Sequence, residues 1–261
     1  MSNKTEKNSY TIIFAVVMVV IVGSLLAGFA SGLKPLIKAN ERYEKQQNIL
    51  YALGVHDNTG EGDVAFISTD KVEGVFSENI TEQIVLEYKD GKVIKEMTRE
   101  QFMDTNNGLE PYLINVKKEQ TKQKNGGTRF LPLFVGTNNG TKTYVMPVRG
   151  KGLWDAIWGF VAVDKDMVVQ GVYFDHKGET PGLGAEIKQR FFMDDFKGEH
   201  MLDGSMYKGI AVAKGNNDPV NTDKKDYEVD AIAGATITGD GVSAMLKKDI
   251  KMYVPYFQGL K

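Results

Sequence analysis

Two short segments contain the side chains that are best suited to do chemistry. The first is residues 230–241, DAIAGATITGDG, which lead into a helical pattern, VSAMLKKDIKMYV. Small residues line one side of Thr236, so we expect its hydroxyl to be accessible to a large reagent. A Gly/Thr-rich helix start can bind phosphate through free N–H groups and the helix dipole, or it can be a plain N-cap. The residues alone leave these interpretations evenly matched, with Thr238 or Asp240 as alternative caps.

The second segment is residues 179–184, ETPGLG, in which two glycines and a proline fix a turn. The bare backbone of such a turn can lie close against a flat ligand. A structural turn before a helix explains the same residues, and for this segment alone it is the favoured interpretation.

The sequence lacks the residues that several other kinds of functional site require. The chain has no cysteine, which excludes disulfides, thiolate zinc sites and iron–sulfur ligation by this chain. Its histidines, His56, His176 and His200, are far apart, so no metal site is predicted. It contains no nucleophile elbow, no P-loop and no dinucleotide fingerprint after a predicted strand. Hydrolase, kinase and direct NADH-binding functions therefore lack their usual parts, and we expect no catalytic side chain.

The composition is that of a globular protein without a charge bias. Of 261 residues, 42% are hydrophobic and 25% charged, and 32 basic residues against 34 acidic ones leave a net charge of -2. Nucleic-acid binding requires a basic excess, which this chain lacks. We therefore expect no nucleic-acid partner.

The apolar residues concentrate near the N-terminus. Residues 12–33 carry no charge, and as a helix they would span about 33 Å, enough to cross a bilayer core of about 30 Å. A cleaved signal peptide is the alternative, but this run is longer than the usual apolar region of about 7 to 15 residues. Lys4 and Lys7 precede the run and four basic residues follow it closely, which leaves the orientation open because long domains translocate largely regardless of charge.

The remaining pattern predicts mostly strands, interrupted by helices. Asp90-Gly91 between two strand-like runs indicates a hairpin. Strands are expected at residues 84–88, 92–97, 130–135, 143–148, 160–163, 167–174 and 209–213, and helices at 99–103, 184–192 and 239–253. This order predicts an α+β fold with a mainly antiparallel sheet. We divide the chain into a tail and transmembrane helix (1–33), a connecting helix (34–54) and a soluble domain (55–261), with a variable part (55–128) and a core (129–261) that contains both segments. Residues 216–226 are expected to form an exposed polar loop.

Three runs of this sequence resemble a known family. Residues 230–236 resemble the flavinylation motif of covalent FMN-binding domains, whose last Thr is esterified to the phosphate of FMN by a dedicated flavin transferase. Ala233 stands where Ser or Thr is more usual. Residues 176–184, HKGETPGLG, match the family's second motif, which lies against the flavin. Residues 150–160 resemble a run found in the C subunit of sodium-translocating NADH:quinone reductases.

The resemblance implies an α+β FMN-binding domain and a role for each matched residue. Thr236 would be the FMN acceptor, and Asp230 would help the transferase to recognise the site. Thr238 would be a cap or a hydrogen-bond partner of the phosphate. For Trp154, which with Leu153 would cover a ring face, core packing is the alternative. The expected FMN-binding residues are Thr236, Asp230, Gly234, Ala235, Thr238, Glu179, Thr180, Leu183, Leu153 and Trp154.

The resemblance also implies the function. The chain would be an electron-relay subunit of a membrane-bound Na+-translocating NADH:quinone oxidoreductase, with FMN joined covalently to Thr236. NADH oxidation, quinone reduction and most of the sodium path would belong to partner subunits. Its partners would be those subunits, a flavin transferase during maturation and the lipid bilayer. It would be a single-pass protein of the bacterial inner membrane, with its soluble domain on the periplasmic side.

Two alternatives remain at this point. One is the equivalent FMN subunit of the ferredoxin:NAD ion-translocating complex, which has the same flavinylation motif but usually a shorter chain and a Gly-Tyr-x-Gly run in place of the one around Trp154. The other is a cofactor-free scaffold domain of a membrane complex, in which Thr236 is only a helix cap.

Overall fold

The computed structural model describes residues 8–60, 62–215, 218 and 221–260. Lys4 and Lys7 lie outside the described residues, as do residues 216, 217, 219 and 220 of the expected polar loop. In the described part of that loop Asn221 is buried, so the loop is not exposed throughout.

The strands of the main sheet are β1 (Ile80–Lys89), β2 (Lys92–Thr98), β3 (Arg129–Asn138), β4 (Thr141–Lys151), β5 (Ala156–Val163) and β6 (Val169–His176). They form one six-stranded sheet in the order β2-β1-β3-β4-β5-β6, and every neighbouring pair is antiparallel. The helices are α1 (Asn8–Leu53), α2 (Val72–Asn79), α3 (Arg99–Thr105), α4 (Val116–Lys124), α5 (Arg190–Asp195), α6 (Thr236–Asp249) and α7 (Val254–Gly259). The predicted α+β class with a mainly antiparallel sheet is confirmed.

The hairpin predicted from Asp90-Gly91 joins β1 and β2. Asp90 and Gly91 have φ angles of 48° and 83°, the left-handed backbone that a two-residue hairpin turn needs. The strands expected at 130–135, 143–148 and 160–163 lie within the longer β3, β4 and β5, and the strand expected at 167–174 is shifted by two residues, to β6. Residues 209–213 differ, since only Ala211–Val212 form a short strand there, which pairs in parallel with Glu228–Val229.

The expected helix at residues 184–192 is two short elements. A 3-10 helix covers Gly184–Lys188, and α5 follows at Arg190–Asp195. The expected helix at 239–253 begins earlier, at Thr236, and α6 ends at Asp249 before a 3-10 turn, Ile250–Tyr253. Tertiary contacts of Thr238, described below, extend this helix over β-branched residues that propensity alone disfavours.

The chain divides into two compact units, Met1–Arg42 and Tyr43–Lys261. Within the first unit, the described residues belong to α1, which is long and apolar enough to cross a membrane by length and composition. The expected boundary after residue 33 does not end a helix, because α1 continues through Pro35 to Leu53. In the second unit, the last two turns of α1 are buried, with Ile49, Leu50 and Leu53 in the core.

The part expected to be variable, residues 55–128, contributes to the main sheet. Its strand β1 pairs along its length with β3, from Ile80 opposite Gly136 to Tyr88 opposite Arg129. The capping box of Thr98 and Gln101 begins α3, which packs on β1 and β2. Residues of this part that belong to the main core are Val72, Phe76, Ile80, Ile84, Leu86 and Tyr112. Phe102 of α3 packs instead in a smaller second cluster with Val85, Met97 and Ile114.

A buried ion pair holds α6 against the sheet. Arg129 of β3 and Asp249, the last residue of α6, lie 3.2 Å apart with side chains 3% and 0% exposed. Asp249 also accepts the backbone N–H of Arg149 in β4 at 2.8 Å and the side-chain amide of Gln120 in α4 at 3.1 Å. Two strands and two helices thus meet at one carboxylate.

We predict that Asp249→Asn lowers the free energy of unfolding by about 3 kcal/mol, because it leaves the Arg129 charge buried without its partner. Urea unfolding of the full chain in detergent micelles, followed by near-UV circular dichroism, measures the effect. The control is Glu82→Gln at the exposed Lys142–Glu82 pair, where side chains are 57% and 52% exposed, and its cost should stay below about 1 kcal/mol. Similar costs for the two variants would contradict the role given to Asp249.

Candidate functional site

Thr236 is the first residue of α6. The chain reverses before it at Gly234, whose φ of +71° is strained for any residue with a side chain, and a Cβ there would lie 2.7 Å from Leu183 Cδ2. Ala235 is the N-cap; it is 5% exposed and has no polar side chain, so no side-chain hydrogen bond caps the helix. Thr236 itself is exposed. The arrangement presents a free hydroxyl beside an uncapped helix start, where the dipole favours an anion.

Thr238 is not a cap, and this corrects one sequence-based interpretation. Its side chain is 1% exposed, and its hydroxyl donates a hydrogen bond of 2.5 Å to Oε2 of Glu179. The residue therefore joins α6 to the turn at 179–184. Asp240 is not the cap either, since it lies inside α6, four residues after the first.

Glu179 is the centre of the site. It is 4% exposed, and besides Thr238 it accepts backbone N–H groups from the loop between β4 and β5, at 2.9 Å from Trp154 and 3.2 Å from Leu153. A weaker bond of 3.4 Å comes from Asp155. One carboxylate thus fixes three segments that are far apart in sequence: the loop, the turn and the first turn of α6.

The pKa of Glu179 reflects two opposing causes. Burial raises the pKa, while the hydrogen bonds from the Thr238 hydroxyl and the loop N–H groups lower it. The hydrogen bonds outweigh burial, so the pKa of Glu179 is below its ordinary value and the side chain is a carboxylate at neutral pH. Both of its oxygens are occupied by protein donors, so its role here is to position the site.

Two glycines leave room for this carboxylate. A Cβ at Gly184 would lie 2.5 Å from Thr238 Oγ1 and 2.6 Å from Glu179 Oε2, and a Cβ at Gly152 would lie 2.6 Å from Glu179 Oε1. Real Cβ atoms do not approach so closely, so the hub requires glycine at both positions. Gly184 of the 179–184 turn and Gly152 of the 150–160 run thus let the backbone pack around Glu179.

Large apolar side chains around this hub are exposed. Exposed fractions are 66% for Trp154, 46% for Leu153, 40% for Leu183 and 57% for Ile237. Trp154 is not a core residue; its indole Nε1–H donates to Thr180 Oγ1 at 3.1 Å, at the surface. Exposed apolar side chains gathered on the segments of one site indicate a ligand or partner surface.

Ile237 was not expected from the sequence as a site residue. It follows Thr236 directly, and because Thr238 points into the core, the helix turns Ile237 outward beside the hydroxyl. The sequence does contain a sign of this role, because Ile237 is an apolar residue between two threonines. Its outward direction can be inferred only when the helix is known to begin at Thr236.

Asp230 lies apart from the Glu179 hub in its recorded contacts. Its backbone N–H donates to Oδ2 of Asp195, the last residue of α5, at 2.8 Å. Burial, followed by the charges of Asp195 and Asp218, raises the pKa of its carboxyl group. The structure thus unites Glu179, Thr180, Leu183, Leu153, Trp154 and Thr238 by direct contacts and places Gly234, Ala235 and Thr236 next to them. The hydrogen bond of Asp230 is with Asp195 instead.

The described residues contain no cluster of three or more His, Asp or Glu side chains that could hold a metal ion. What they offer is an anion position at the start of α6 and a set of exposed flat or branched apolar groups. A phosphate ester attached to an aromatic ring system matches both features.

A family model for FMN-binding domains matches residues 152–251. That range contains the β4–β5 loop, the 179–184 turn and α6. Every residue of the Glu179 hub therefore falls inside the matched domain.

Relatives match the chain along its whole length. The C subunit of the Na(+)-translocating NADH-quinone reductase from Neisseria meningitidis is 30% identical over 271 aligned residues, which cover 100% of this chain and 98% of that protein. The chain belongs to this C-subunit family. The corresponding protein from Pseudomonas aeruginosa is 29% identical, and the match covers 92% of this chain and 90% of that protein.

A solved structure from the same family agrees with the fold. The crystal structure of the C subunit from Parabacteroides distasonis has a TM-score of 0.67 and 30% identity, and the match covers 86% of this chain and 96% of that one. The family is part of an oxidoreductase complex, and the full-length relatives favour it over the ferredoxin-linked alternative. Residues 55–128 lie within the shared length.

We predict that Glu179→Gln lowers the free energy of unfolding at neutral pH by about 2 kcal/mol, because it weakens hydrogen bonds to a charged acceptor. The pKa of Glu179 is lowered in the folded protein, so the carboxylate stabilises the fold above the ordinary glutamate pKa of 4.5, and this stabilisation is lost as the pH falls below that value. The difference between wild type and variant should therefore shrink on acidification in urea unfolding curves. The control, Glu186→Gln, removes the charge of a carboxylate with one bond from an exposed N–H of Gly182. Equal effects at both glutamates would refute the assignment.

We predict that Gly184→Ala costs about 1 to 3 kcal/mol, because the new methyl group would overlap Thr238 Oγ1 and Glu179 Oε2. Gly178→Ala is the matched control in the same turn region, since a Cβ there meets nothing within 4 Å. Thermal unfolding of the two variants measures the difference. A tolerated Gly184→Ala would show that the hub is less closely packed than described.

Proposed function

We propose that this chain is an electron-relay subunit that carries FMN joined through a phosphoester to the Thr236 hydroxyl. The observation that carries the proposal is the exposed Thr236 at the uncapped start of α6, next to the Glu179 hub. The FMN-binding domain match and the family of the full-length relatives support the choice of cofactor.

The surroundings of the three threonines favour Thr236 as the acceptor. The hydroxyl of Thr238 is buried and donates to Glu179, and the hydroxyl of Thr180 accepts the indole N–H of Trp154. Among the residues that the structure describes, no side-chain hydrogen bond involves the Thr236 hydroxyl. A reagent can therefore approach this oxygen without breaking a contact of the site.

The start of α6 suits the phosphate of the ester. Free N–H groups in the first turn can donate to phosphate oxygens, and the helix dipole stabilises an anion there by about 0.3 to 1 kcal/mol. The residues that we expect to contact the flavin ring are Leu153, Trp154, Leu183 and Ile237, whose apolar surfaces are exposed to solvent. Burial of these surfaces against a ring would recover about 25 cal/mol for each Å² covered.

FMN supplies the redox chemistry when it is bound, and the chain supplies position and environment. Glu179 and Thr238 fix the segments on either side of the cofactor, and no side chain has to act as an acid or base. A covalent tether keeps the local cofactor concentration at about mM or higher, so a deep binding pocket is unnecessary. NADH oxidation and quinone reduction are assigned to other subunits of the complex.

The membrane location is part of the same proposal. The apolar part of α1 would anchor the chain in the bacterial inner membrane as a single pass, with the soluble domain on the periplasmic side. A reversibly bound cofactor would be lost from that side by dissociation, and a phosphoester prevents this loss. A flavin transferase would attach the cofactor during maturation, and Asp230 remains our candidate for its recognition.

We predict that Thr236→Ala abolishes covalent flavin when the full chain is produced together with a flavin transferase. Thr236→Ser, which keeps a hydroxyl, should retain some attachment. Thr238→Val, which keeps the size of the side chain, should retain covalent flavin with a less stable site. Ultraviolet fluorescence of the denatured gel band and a mass spectrum of the peptide containing residue 236 measure the attachment.

The same experiment separates the remaining candidates. A cofactor-free scaffold predicts a dark band for every variant, including the wild type. Fluorescence that survives Thr236→Ala and disappears with Thr238→Val would move the acceptor to residue 238.

A further inference from the structure

His176, the last residue of β6, is bound to the turn that carries Glu179. Its ring nitrogen Nδ1 accepts the backbone N–H of Glu179 at 3.1 Å. The other nitrogen, Nε2, is buried and has no hydrogen-bond partner among the residues that the structure describes. In the described structure, Nε2 therefore contacts neither solvent nor a hydrogen-bonding group.

These contacts determine the protonation state of the ring. A nitrogen that accepts a hydrogen bond has a free lone pair, so Nδ1 is unprotonated and the proton of the neutral ring is on Nε2. In the charged imidazolium both nitrogens are donors. Nδ1 would then face the N–H of Glu179 as a second donor, and the bond could not persist.

We infer that His176 is a positioning residue whose neutral ring fixes Glu179, and that protonation of this ring loosens the Glu179 hub. The backbone of Glu179 is held by His176, while its carboxylate holds the β4–β5 loop and the first turn of α6. A shift of this backbone therefore reaches both the β4–β5 loop and the first turn of α6, which contains Thr236. Only the consequence for the flavin rests on the proposed function.

Charged groups from the neighbouring segments surround the ring. Asp175 accepts the backbone N–H of His176 at 2.8 Å, the Lys177–Asp155 pair is closed at 2.8 Å, and the Glu179 carboxylate lies in the same turn. The neighbour across the sheet, on β5, is the apolar Ile157. Carboxylates and lysine do not ordinarily titrate between about pH 5 and about pH 8, whereas an imidazole does.

Amide hydrogen exchange of Glu179 tests the inference on the flavin-free full chain, produced without a transferase and held in detergent micelles. Each rate is compared with the intrinsic rate at the same pH. In the wild type, protection of this amide should fall about tenfold between about pH 8 and about pH 5, as expected for the loss of one hydrogen bond. His176→Ala should show the low protection at both pH values.

His176→Asn is the decisive variant, because its side-chain oxygen can accept the same N–H and does not titrate. We expect protection that no longer depends on this pH range. His56→Asn is the matched control: the Nδ1 of His56 also accepts a backbone N–H, from Asn58 at 3.3 Å, in a different part of the fold. In this control, protection of the Glu179 amide should depend on pH as it does in the wild type.

An acid-induced loss of protection in His176→Asn, or unchanged protection in His176→Ala, would overturn the inference. In the flavin-loaded protein, the flavin emission should follow the same pH transition in the wild type and His56→Asn, and not in His176→Asn. Attachment is scored separately by fluorescence of the denatured gel band. If that band is dark, the proposed function fails, while the exchange data still decide the role of His176.

Discussion

The site depends on one buried carboxylate that must be satisfied by hydrogen bonds. Removing an ionised side chain from water is costly unless donors replace the lost hydration. Glu179 meets this requirement only if the 153–155 N–H groups and the Thr238 hydroxyl converge on it at the same time. A loop, a turn and a helix start that are separate in sequence are thereby held in one arrangement.

A second buried carboxylate acts at the other end of the same helix. An acidic residue at a helix C-terminus is unfavourable to the dipole, yet Asp249 stays there because Arg129, Gln120 and the Arg149 N–H surround it. Helix α6 is therefore fixed to the 179–184 turn at its first turn and to the sheet at its last residue. Gln120 comes from the part expected to be variable, so this part contributes to holding the helix that presents Thr236.

Most strands and helices and the two motifs could be predicted from the sequence, but the contacts that join the motifs could not. The antiparallel hairpins were predictable because apolar runs and turn residues such as Asp90-Gly91 are local signals. The start of α6 was not predictable, because it depends on the bond of Thr238 to a residue 59 positions earlier. The role of Glu179 as a hub and the outward position of Ile237 follow from that contact. Local propensities contain no information about it.

The surface of the site lacks a helix cap and exposes apolar side chains, both of which are unfavourable for stability. A threonine one position earlier could have capped α6 and stabilised it by about 1 kcal/mol, but that position is occupied by Ala235, which is packed at 5% exposure. The hydroxyl sits instead at residue 236, where it faces solvent and caps nothing, and Trp154 and Ile237 are exposed around it. Meanwhile the Glu179 carboxylate and the Thr238 hydroxyl beneath this surface are hydrogen-bonded, and glycines allow their close approach. A hydrogen-bonded buried layer beneath exposed apolar side chains and a free hydroxyl is expected where a ligand covers the surface. Local departures from folding rules in a well-folded domain tend to occur at functional sites.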